Sequence, residues 1–227
     1  MSVRSVKREI LSLLESDDFE RFIVEMHAIS GPELLNPLFS AICNCKELTR
    51  WHAITAIGIV VTEIANHDME AARVIMRRFM WSLNDESGGI GWGAPEAMAE
   101  IMARHHGLAG EYSHILVSFM REDGFFLEFE PLQRGLMWGL GRLAQTRPEL
   151  LLSKDVVRYL LPYLNSDDGT VRGLAAWCIG FLKAGEAIPL LEGLLHDTAG
   201  VRLYNQGKFI DTTVSEMARQ SLAAITA

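Results

Sequence analysis

A glycine-rich segment contains the first residues whose types and spacing suit a chemical role. Gly89, Gly91 and Ala94 fit the spacing G-x-G-x-x-[GA], and a helix is predicted to begin beside them. Exposed amides at a helix N-terminus can hold a phosphate or a carboxylate. A dinucleotide site also requires a strand before the glycines, whereas here a helix is predicted to precede them. The segment therefore predicts a tight turn, with an anion site as the alternative.

Thiols and imidazoles form a second set, suited to binding a metal ion. Cys43 and Cys45 are separated by one residue, and His27 precedes them. Zinc sites usually use wider pairs such as C-x₂-C and four ligands, so we expect buried or half-buried thiols and no metal or other cofactor. The pairs His67–Asp68 and His196–Asp197 fall at predicted helix ends, where capping accounts for them.

Aromatic and acidic side chains form a third set, suited to holding a partner. They are concentrated in three stretches that interrupt the helical pattern, Asn84–Trp92, Glu122–Glu130 and Asp197–Thr212. Rings supply contact area and carboxylates accept hydrogen bonds. The alternative is that these rings only cover the edge of the core. The candidate binding residues are Asn84, Asp85, Glu86, Trp92, Phe125, Phe126, Glu128, Glu130, Arg134, Trp138, Arg172 and Tyr204, and no catalytic residue is assigned.

The elements that must position these residues repeat along the chain. In the clearest unit, Asp167–Leu195, either Asp167 or Asp168 is expected to cap a helix with apolar residues at helical spacing. Gly185 is expected to end this helix, and a second helix follows. Equivalent small residues recur at steps of 41, 42, 39 and 43, at Gly58, Ala99, Gly141, Gly180 and Ala223. A small side chain lets two helices approach closely, which offsets a cost of about 1 kcal/mol for glycine within a helix. The spacing predicts an array of stacked helix pairs.

This unit resembles the HEAT repeat, in particular the HEAT-like variety found in phycobilisome-lyase-type proteins. The residues that carry the resemblance are Asp167, Val171, Arg172, Ala175, Ala176, Gly180, Ala187, Ile188, Pro189 and Leu191. The resemblance implies an all-α fold, an α-α superhelix that forms a short right-handed solenoid of about five to six helix pairs. The repeat signature implies a structure and does not imply an activity.

HEAT-like enzymes supply alternative functions. One group hydroxylates a modified lysine with iron held by His-Glu pairs, and no His-Glu dipeptide occurs here. A second group removes alkylated DNA bases with a basic face that carries tryptophan and aspartate, and Trp51, Trp92, Trp138 and Trp177 fall on or beside the predicted inner helices. The chromophore lyases share the repeat signature most closely. The alternatives are therefore a small-molecule or chromophore-binding protein, a lyase-like protein or a DNA-base glycosylase.

The helical pattern covers most of the chain, which we assign as one domain, 1–227, with a capping helix pair in 1–31 and about five repeats in 32–227. Outer helices are predicted near Pro32–Cys43, Met69–Leu83, Glu111–Arg121, Lys154–Leu164 and Ala187–His196. Inner helices are predicted near Thr49–Ala65, Gly93–His105, Pro131–Gln145, Thr170–Lys183 and Thr213–Thr226. Each long turn joins an outer helix to its inner helix, so we expect all three on one rim.

Composition limits the partners. The net charge is −8 and the isoelectric point is about 5.4, which disfavours nucleic acid as a partner. No apolar run is long enough to cross a membrane, and no apolar segment of signal-peptide type follows the charged N-terminus. Three cysteines are too few for a disulfide framework, so we expect reduced thiols and a cytoplasmic protein.

Together these patterns predict a non-catalytic HEAT-like scaffold. A protein or peptide partner is expected on the concave face of the inner helices and on the rim of inserted turns. A small-molecule ligand enclosed by the rim is the second hypothesis.

Overall fold

Thirteen α-helices and one β-hairpin lie in the parts of the chain that the computed structural model describes, which are residues 3–28, 34–84 and 91–227. The helices are α1 (Val3–Leu14), α2 (Phe19–Ala28), α3 (Leu35–Ala41), α4 (Glu47–His67), α5 (Met69–Leu83), α6 (Ala94–Arg104), α7 (His106–Ser118), α8 (Glu130–Thr146), α9 (Pro148–Leu152), α10 (Val156–Leu160), α11 (Gly169–Leu182), α12 (Ile188–Gly193) and α13 (Val214–Thr226), and the strands are β1 (Gly200–Asn205) and β2 (Lys208–Thr213).

The predicted inner helices correspond to α4, α6, α8, α11 and α13, with ends that differ from the prediction by a few residues. The outer helices are less regular. The segment predicted as Lys154–Leu164 is an α-helix only over α10 and continues as a 3₁₀ helix over Leu161–Asn165, where Pro162 lacks the amide hydrogen that an α-helix would use. The all-helical class is confirmed, with the hairpin as an addition.

The end of α11 differs from the prediction. Gly185 does not end the helix, because Lys183 adopts the left-handed conformation with φ 51°. The amide of Lys183 donates to the carbonyl of Gly180, which satisfies an acceptor left over in the last turn. Gly185 instead begins a short 3₁₀ turn ahead of α12.

The chain divides into two compact units, Met1–Leu108 and Ala109–Ala227, and the single domain stays a prediction. In the first unit, α4 packs against α3, α5 and α6. Because α4 is buried on most of its sides, its central residues are almost all apolar. Among the largest fully buried side chains of this unit are Phe22, Ile54, Ile57, Met76, Phe79, Met98 and Ile101.

The predicted small residues lie where helices come close together. An added Cβ at Gly58 of α4 would lie 2.6 Å from Cγ of Glu100 in α6. In the second unit, an added Cβ at Gly141 would meet the ring of Trp177, and one at Gly180 would lie 3.0 Å from Cα of Ser221 in α13. The close contacts predicted at these three glycines are therefore confirmed.

The predicted long turn Asp197–Thr212 is largely a β-hairpin. Strand β1 pairs with β2 antiparallel, with Asn205 opposite Lys208. The two residues between the strands, Gln206 and Gly207, have φ of 49° and 80°, which matches the twist of a tight hairpin. Val201 of β1 is buried and packs close to Gly173 of α11, so the hairpin belongs to the core of the second unit.

Candidate functional site

A structured turn between α7 and α8 forms one side of the candidate site. The amide of Phe125 donates to the carbonyl of Ser118 at 3.1 Å, and the amide of Leu127 donates to the carbonyl of Phe119 at 3.1 Å. Leu127 is buried, and its carbonyl accepts from the side-chain amide of Gln133 at 2.8 Å. With Leu127 anchored in this way, the turn presents Phe125 and Phe129 outward, with exposed fractions of 56% and 48%.

A cleft of about 710 Å³ lies between this turn and the segment that contains α10. Its lining combines rings with charged groups and consists of Met120, Arg121, Glu122, Asp123, Phe126, Gln133, Arg158, Tyr159, Pro162, Tyr163 and Ser166. The guanidinium of Arg121 lies 5.1 Å from the centre of the Tyr159 ring and pairs with Asp123 at 2.7 Å. The cleft therefore offers rings and both signs of charge to a bound group.

Tyr163 fixes the floor of the cleft. Its hydroxyl donates to the carbonyl of Met120 at 3.2 Å. Burial, together with the charge of Glu122, raises the pKa of the Tyr163 hydroxyl well above its usual range. The hydroxyl therefore stays neutral and continues to donate, and this bond joins the 3₁₀ helix Leu161–Asn165 to the turn that follows α7.

The turn beside the cleft carries exposed negative charge. Glu122, Glu128 and Glu130 are exposed, and no described side chain forms an ion pair with any of them. Glu130 also lies in the first turn of α8, where a carboxylate is favoured by the helix dipole. With Phe125 and Phe129, these carboxylates make an acidic aromatic rim, a name we keep for these five residues.

Two predicted arginines take part in ion pairs inside the second unit. Arg134 of α8 binds the Asp168 carboxylate at 2.6 Å and 2.7 Å, and the Arg134 side chain is 51% exposed. Arg172 of α11 binds Asp197 at 2.7 Å and also donates to the carbonyl of Ser166 at 2.6 Å. Each arginine joins an inner helix to an aspartate that follows the next outer segment of the chain, so both arginines have structural partners.

Trp138 and Tyr204 lie inside the fold. They are 5% and 3% exposed, so their rings pack within the second unit and offer little surface to a partner. The indole N–H of Trp138 donates to the carbonyl of Tyr204 at 2.7 Å, which fastens β1 to α8. The structure thus brings these two predicted residues together as a contact that holds the hairpin.

Replacing Trp138 with phenylalanine is expected to lower the free energy of unfolding by about 2 kcal/mol, because the buried carbonyl of Tyr204 loses its donor. Denaturation in urea measures the change. The matched control is Trp81→Phe on α5, since Trp81 is 83% exposed and its replacement should change stability little. Equal effects of the two substitutions would contradict this role for the indole N–H.

The predicted residues near the first long turn are only partly described. Asn84 is exposed and follows the last residue of α5, and Trp92 is half-buried. Asp85, Glu86 and Gly89 lie outside the described residues. The prediction that the three long turns share one rim therefore stays a prediction.

The other sequence candidates fill structural roles. Asp68 caps α5 by accepting from the amide of Ala71, as the capping interpretation predicts. Cys43 and Cys45 are exposed, so the expectation of buried or half-buried thiols is wrong for this pair, because both residues lie beyond the end of α3. Within residues 3–28, 34–84 and 91–227, no group of three or more histidine, cysteine, aspartate or glutamate side chains is arranged to hold a metal ion.

Sequence reasoning missed part of the cleft. Arg121, Arg158, Tyr159 and Tyr163 line it, yet none was a candidate. The available signal was weak, because Tyr159 and Tyr163 are spaced i, i+4 in a segment whose apolar pattern already predicts a helix. Trp81, the exposed ring of α5, was also missed, since an aromatic residue in a helix is expected in the core.

None of the helices in the described part of the chain is long and apolar enough to cross a membrane.

The second unit contains the part of the chain that matches a known family. Residues 130–182, which run from the start of α8 to the end of α11, match the family model of the HEAT-like repeat. A search of curated proteins gives no match.

Solved structures with a similar fold are helical repeat proteins and engineered proteins. An engineered protein from a structural genomics programme has a TM-score of 0.57 at 15% identity, over 100% of this chain and 92% of that chain. A designed armadillo repeat protein in complex with a (KR)4 peptide has a TM-score of 0.53 at 17% identity, over 96% and 98% of the two chains. Computationally designed armadillo repeat proteins for modular peptide recognition give a TM-score of 0.51 at 17% identity, over 95% and 98%.

At these identities the likeness shows the fold alone. Together with the family match, it confirms the resemblance drawn from the repeat spacing. The chain has the helical repeat fold of armadillo-type and HEAT-type proteins, and its residues 130–182 match the model of the HEAT-like repeat.

Proposed function

We propose that this protein is a non-catalytic binding scaffold that holds a basic segment of a partner protein at the acidic aromatic rim and the adjoining cleft. The observation that carries the proposal is the rim itself, in which two exposed phenylalanines lie among three carboxylates that have no ion-pair partner among the described residues. Exposed rings supply contact area to an interface, and unpaired carboxylates select lysine and arginine.

The rings of the cleft add apolar contact area for such a partner. The rings of Phe126, Tyr159 and Tyr163 line the cleft, and a long aliphatic or aromatic side chain of the partner would pack on them. A lysine or arginine from the partner would meet Glu122 at the mouth. The designed armadillo protein that shares this fold was solved with a (KR)4 peptide, so a fold of this kind accommodates a basic peptide.

The proposal includes a location. The described residues contain three unpaired cysteines, of which Cys43 and Cys45 are exposed. Exposed thiols persist where the surroundings are reducing, as in the cytoplasm. We therefore propose that binding takes place there.

The experiment compares labelled peptides by fluorescence anisotropy. One peptide interleaves lysine and arginine with phenylalanine and leucine, and a second replaces each basic residue with glutamate. We expect the purified protein to bind the basic peptide, with affinity that falls as salt is raised, and not to bind the acidic one.

Two rim variants locate the binding. Phe125→Ser with Phe129→Ser, and Glu128→Lys with Glu130→Lys, are each expected to weaken binding about 10-fold. The control is Glu149→Lys with Leu152→Ser on α9, which changes an exposed acid and an exposed apolar residue away from the cleft lining. If the basic peptide does not bind, or the rim and control variants bind it equally, the proposed function is wrong.

A further inference from the structure

The outer edge of β2 carries main-chain groups that nothing in the described part of the chain occupies. Asn205 and Lys208 flank a two-residue turn and therefore form a hydrogen-bonded pair. Alternation along the ladder then directs the N–H and C=O groups of Phe209 and Asp211 away from β1. No described residue outside the hairpin hydrogen-bonds to these main-chain groups.

Hydrogen bonding on the opposite edge of the hairpin, along β1, follows the same alternation. Tyr204 lies opposite Phe209, so its carbonyl must also point away from the partner strand. That carbonyl accepts from the indole N–H of Trp138 at 2.7 Å. The β1 edge is thus bound by Trp138 of α8 at Tyr204, whereas the β2 edge is open.

Side chains along β2 leave this edge accessible. Ile210 is 45% exposed, and the side chain of Asp211 is 84% exposed. The strand has no proline and no bulge, and its sequence, K-F-I-D-T-T, is rich in residues that favour strands. An open edge of this kind is a template for another strand.

We propose that a second copy of this chain pairs with the β2 edge, antiparallel, about a two-fold axis at Ile210. In this register Phe209 and Asp211 exchange main-chain hydrogen bonds with Asp211 and Phe209 of the second copy. Ile210 faces its own counterpart as a non-hydrogen-bonded pair, in which side chains come closest. The two hairpins then form one four-stranded sheet.

Charge favours the register with the axis at Ile210 over the register with the axis at Asp211. A two-fold axis at Asp211 would form more main-chain bonds, but it would set two exposed aspartates directly against each other, which is destabilising. The ion pair of each Asp211 with Arg202 of its own hairpin is long, at 3.7 Å, and exposed, so it offsets little of this repulsion. With the axis at Ile210, Lys208 lies opposite Thr212 and Asp211 lies opposite Phe209. No like charges then face each other, and two half-exposed isoleucines cover one another. Such a self-complementary contact closes as a two-fold dimer.

A cysteine placed on the axis tests the register. In a Cys43→Ser, Cys45→Ser background, which removes the exposed native thiols, Ile210→Cys would bring two Cβ atoms to about 5 Å across the axis. Mild oxidation should then give a disulfide-linked dimer. Lys208→Cys is the matched control, because the two copies of residue 208 would be about 14 Å apart along the strands.

Sedimentation of the reduced protein tests the association without a cross-link. We expect a concentration-dependent dimer, and we expect Ile210→Asp to raise its dissociation constant about 10-fold. Val24→Asp on α2 serves as the control, since Val24 is 69% exposed and lies on another element. Thermal unfolding of each variant confirms that it is folded.

Three results would overturn the pairing. They are a monomer at every concentration, equal cross-linking by Ile210→Cys and Lys208→Cys, or a dimer that Ile210→Asp does not weaken. The rim variants of the proposed function leave β2 unchanged, so failure of either proposal can be distinguished from failure of the other.

Discussion

Replacing Asp168 with alanine is expected to lower the free energy of unfolding by about 3 kcal/mol, because one carboxylate serves both a helix cap and an ion pair. Its Oδ1 accepts from the amides of Thr170 and Val171 at 2.8 Å and 3.1 Å, and its Oδ2 binds Arg134. The Asp168 side chain is only 4% exposed, so water does not replace the lost partners readily. Chemical denaturation measures the change.

Asp167 supplies the control for this substitution. It is the neighbouring residue, and its side chain is exposed. The hydrogen bond that it accepts from Arg172 is made by its main-chain carbonyl, which the substitution keeps. Asp167→Ala should therefore change the free energy of unfolding by about 0.5 kcal/mol or less. A loss of the same size in both variants would refute the dual role of Asp168.

The same carboxylate makes stability depend on pH. Burial raises the pKa of Asp168, but hydrogen bonds from Arg134 and from the amides of α11 outweigh it, so the net pKa lies below the ordinary value of 3.8. The folded chain therefore takes up this proton at lower pH than the unfolded chain. The stability from the carboxylate is fully present above the ordinary pKa and is lost as the pH falls through the folded-state pKa. Asp168→Asn should lose this part of the acid dependence, so the difference in unfolding free energy between wild type and variant should narrow in acid.

Local patterns predicted the helical part of the fold. The predicted outer helix Met69–Leu83 coincides with α5. Of the two aspartates predicted as possible caps, Asp167 and Asp168, it is Asp168 that caps the start of α11. These features depend on residues within one or two helical turns, which a sequence displays directly. The repeated glycines extended the prediction to tertiary contacts, since each marks a place where the next helix comes close.

The hairpin and the cleft depend on residues distant in sequence. The alternation of Val201 and Leu203 in β1 indicates a strand, and Gln206–Gly207 indicates a turn, but the repeat spacing led us to place the whole stretch in a loop. The hydrogen bond that joins Trp138 to Tyr204 of β1 connects residues that are 66 positions apart in the sequence. The cleft likewise joins Phe126 to Tyr159, which lie on different segments, and no periodicity connects them.

The largest effect among the glycines is expected at Gly141. An added Cβ there would overlap the ring of Trp177, so Gly141→Ala must displace a side chain that packs edge-on against Phe181. Overpacking of this kind costs about 3 kcal/mol, and the better helix propensity of alanine returns about 1 kcal/mol. The expected net result is a loss of about 2 kcal/mol in the free energy of unfolding.

Gly110→Ala on α7 is the control for Gly141→Ala, and Trp177→Ala tests whether the ring of Trp177 causes the loss of stability. An added Cβ at Gly110 would have nothing within 4 Å, so Gly110→Ala should raise the free energy of unfolding by about 0.5–1 kcal/mol. If the ring of Trp177 is what Gly141→Ala displaces, the loss should disappear when Trp177 is first replaced by alanine, and the change should take the sign seen at Gly110. A double-mutant cycle in urea measures this coupling. Additive effects of Gly141→Ala and Trp177→Ala would show that the glycine is not required for the close approach of α8 to α11.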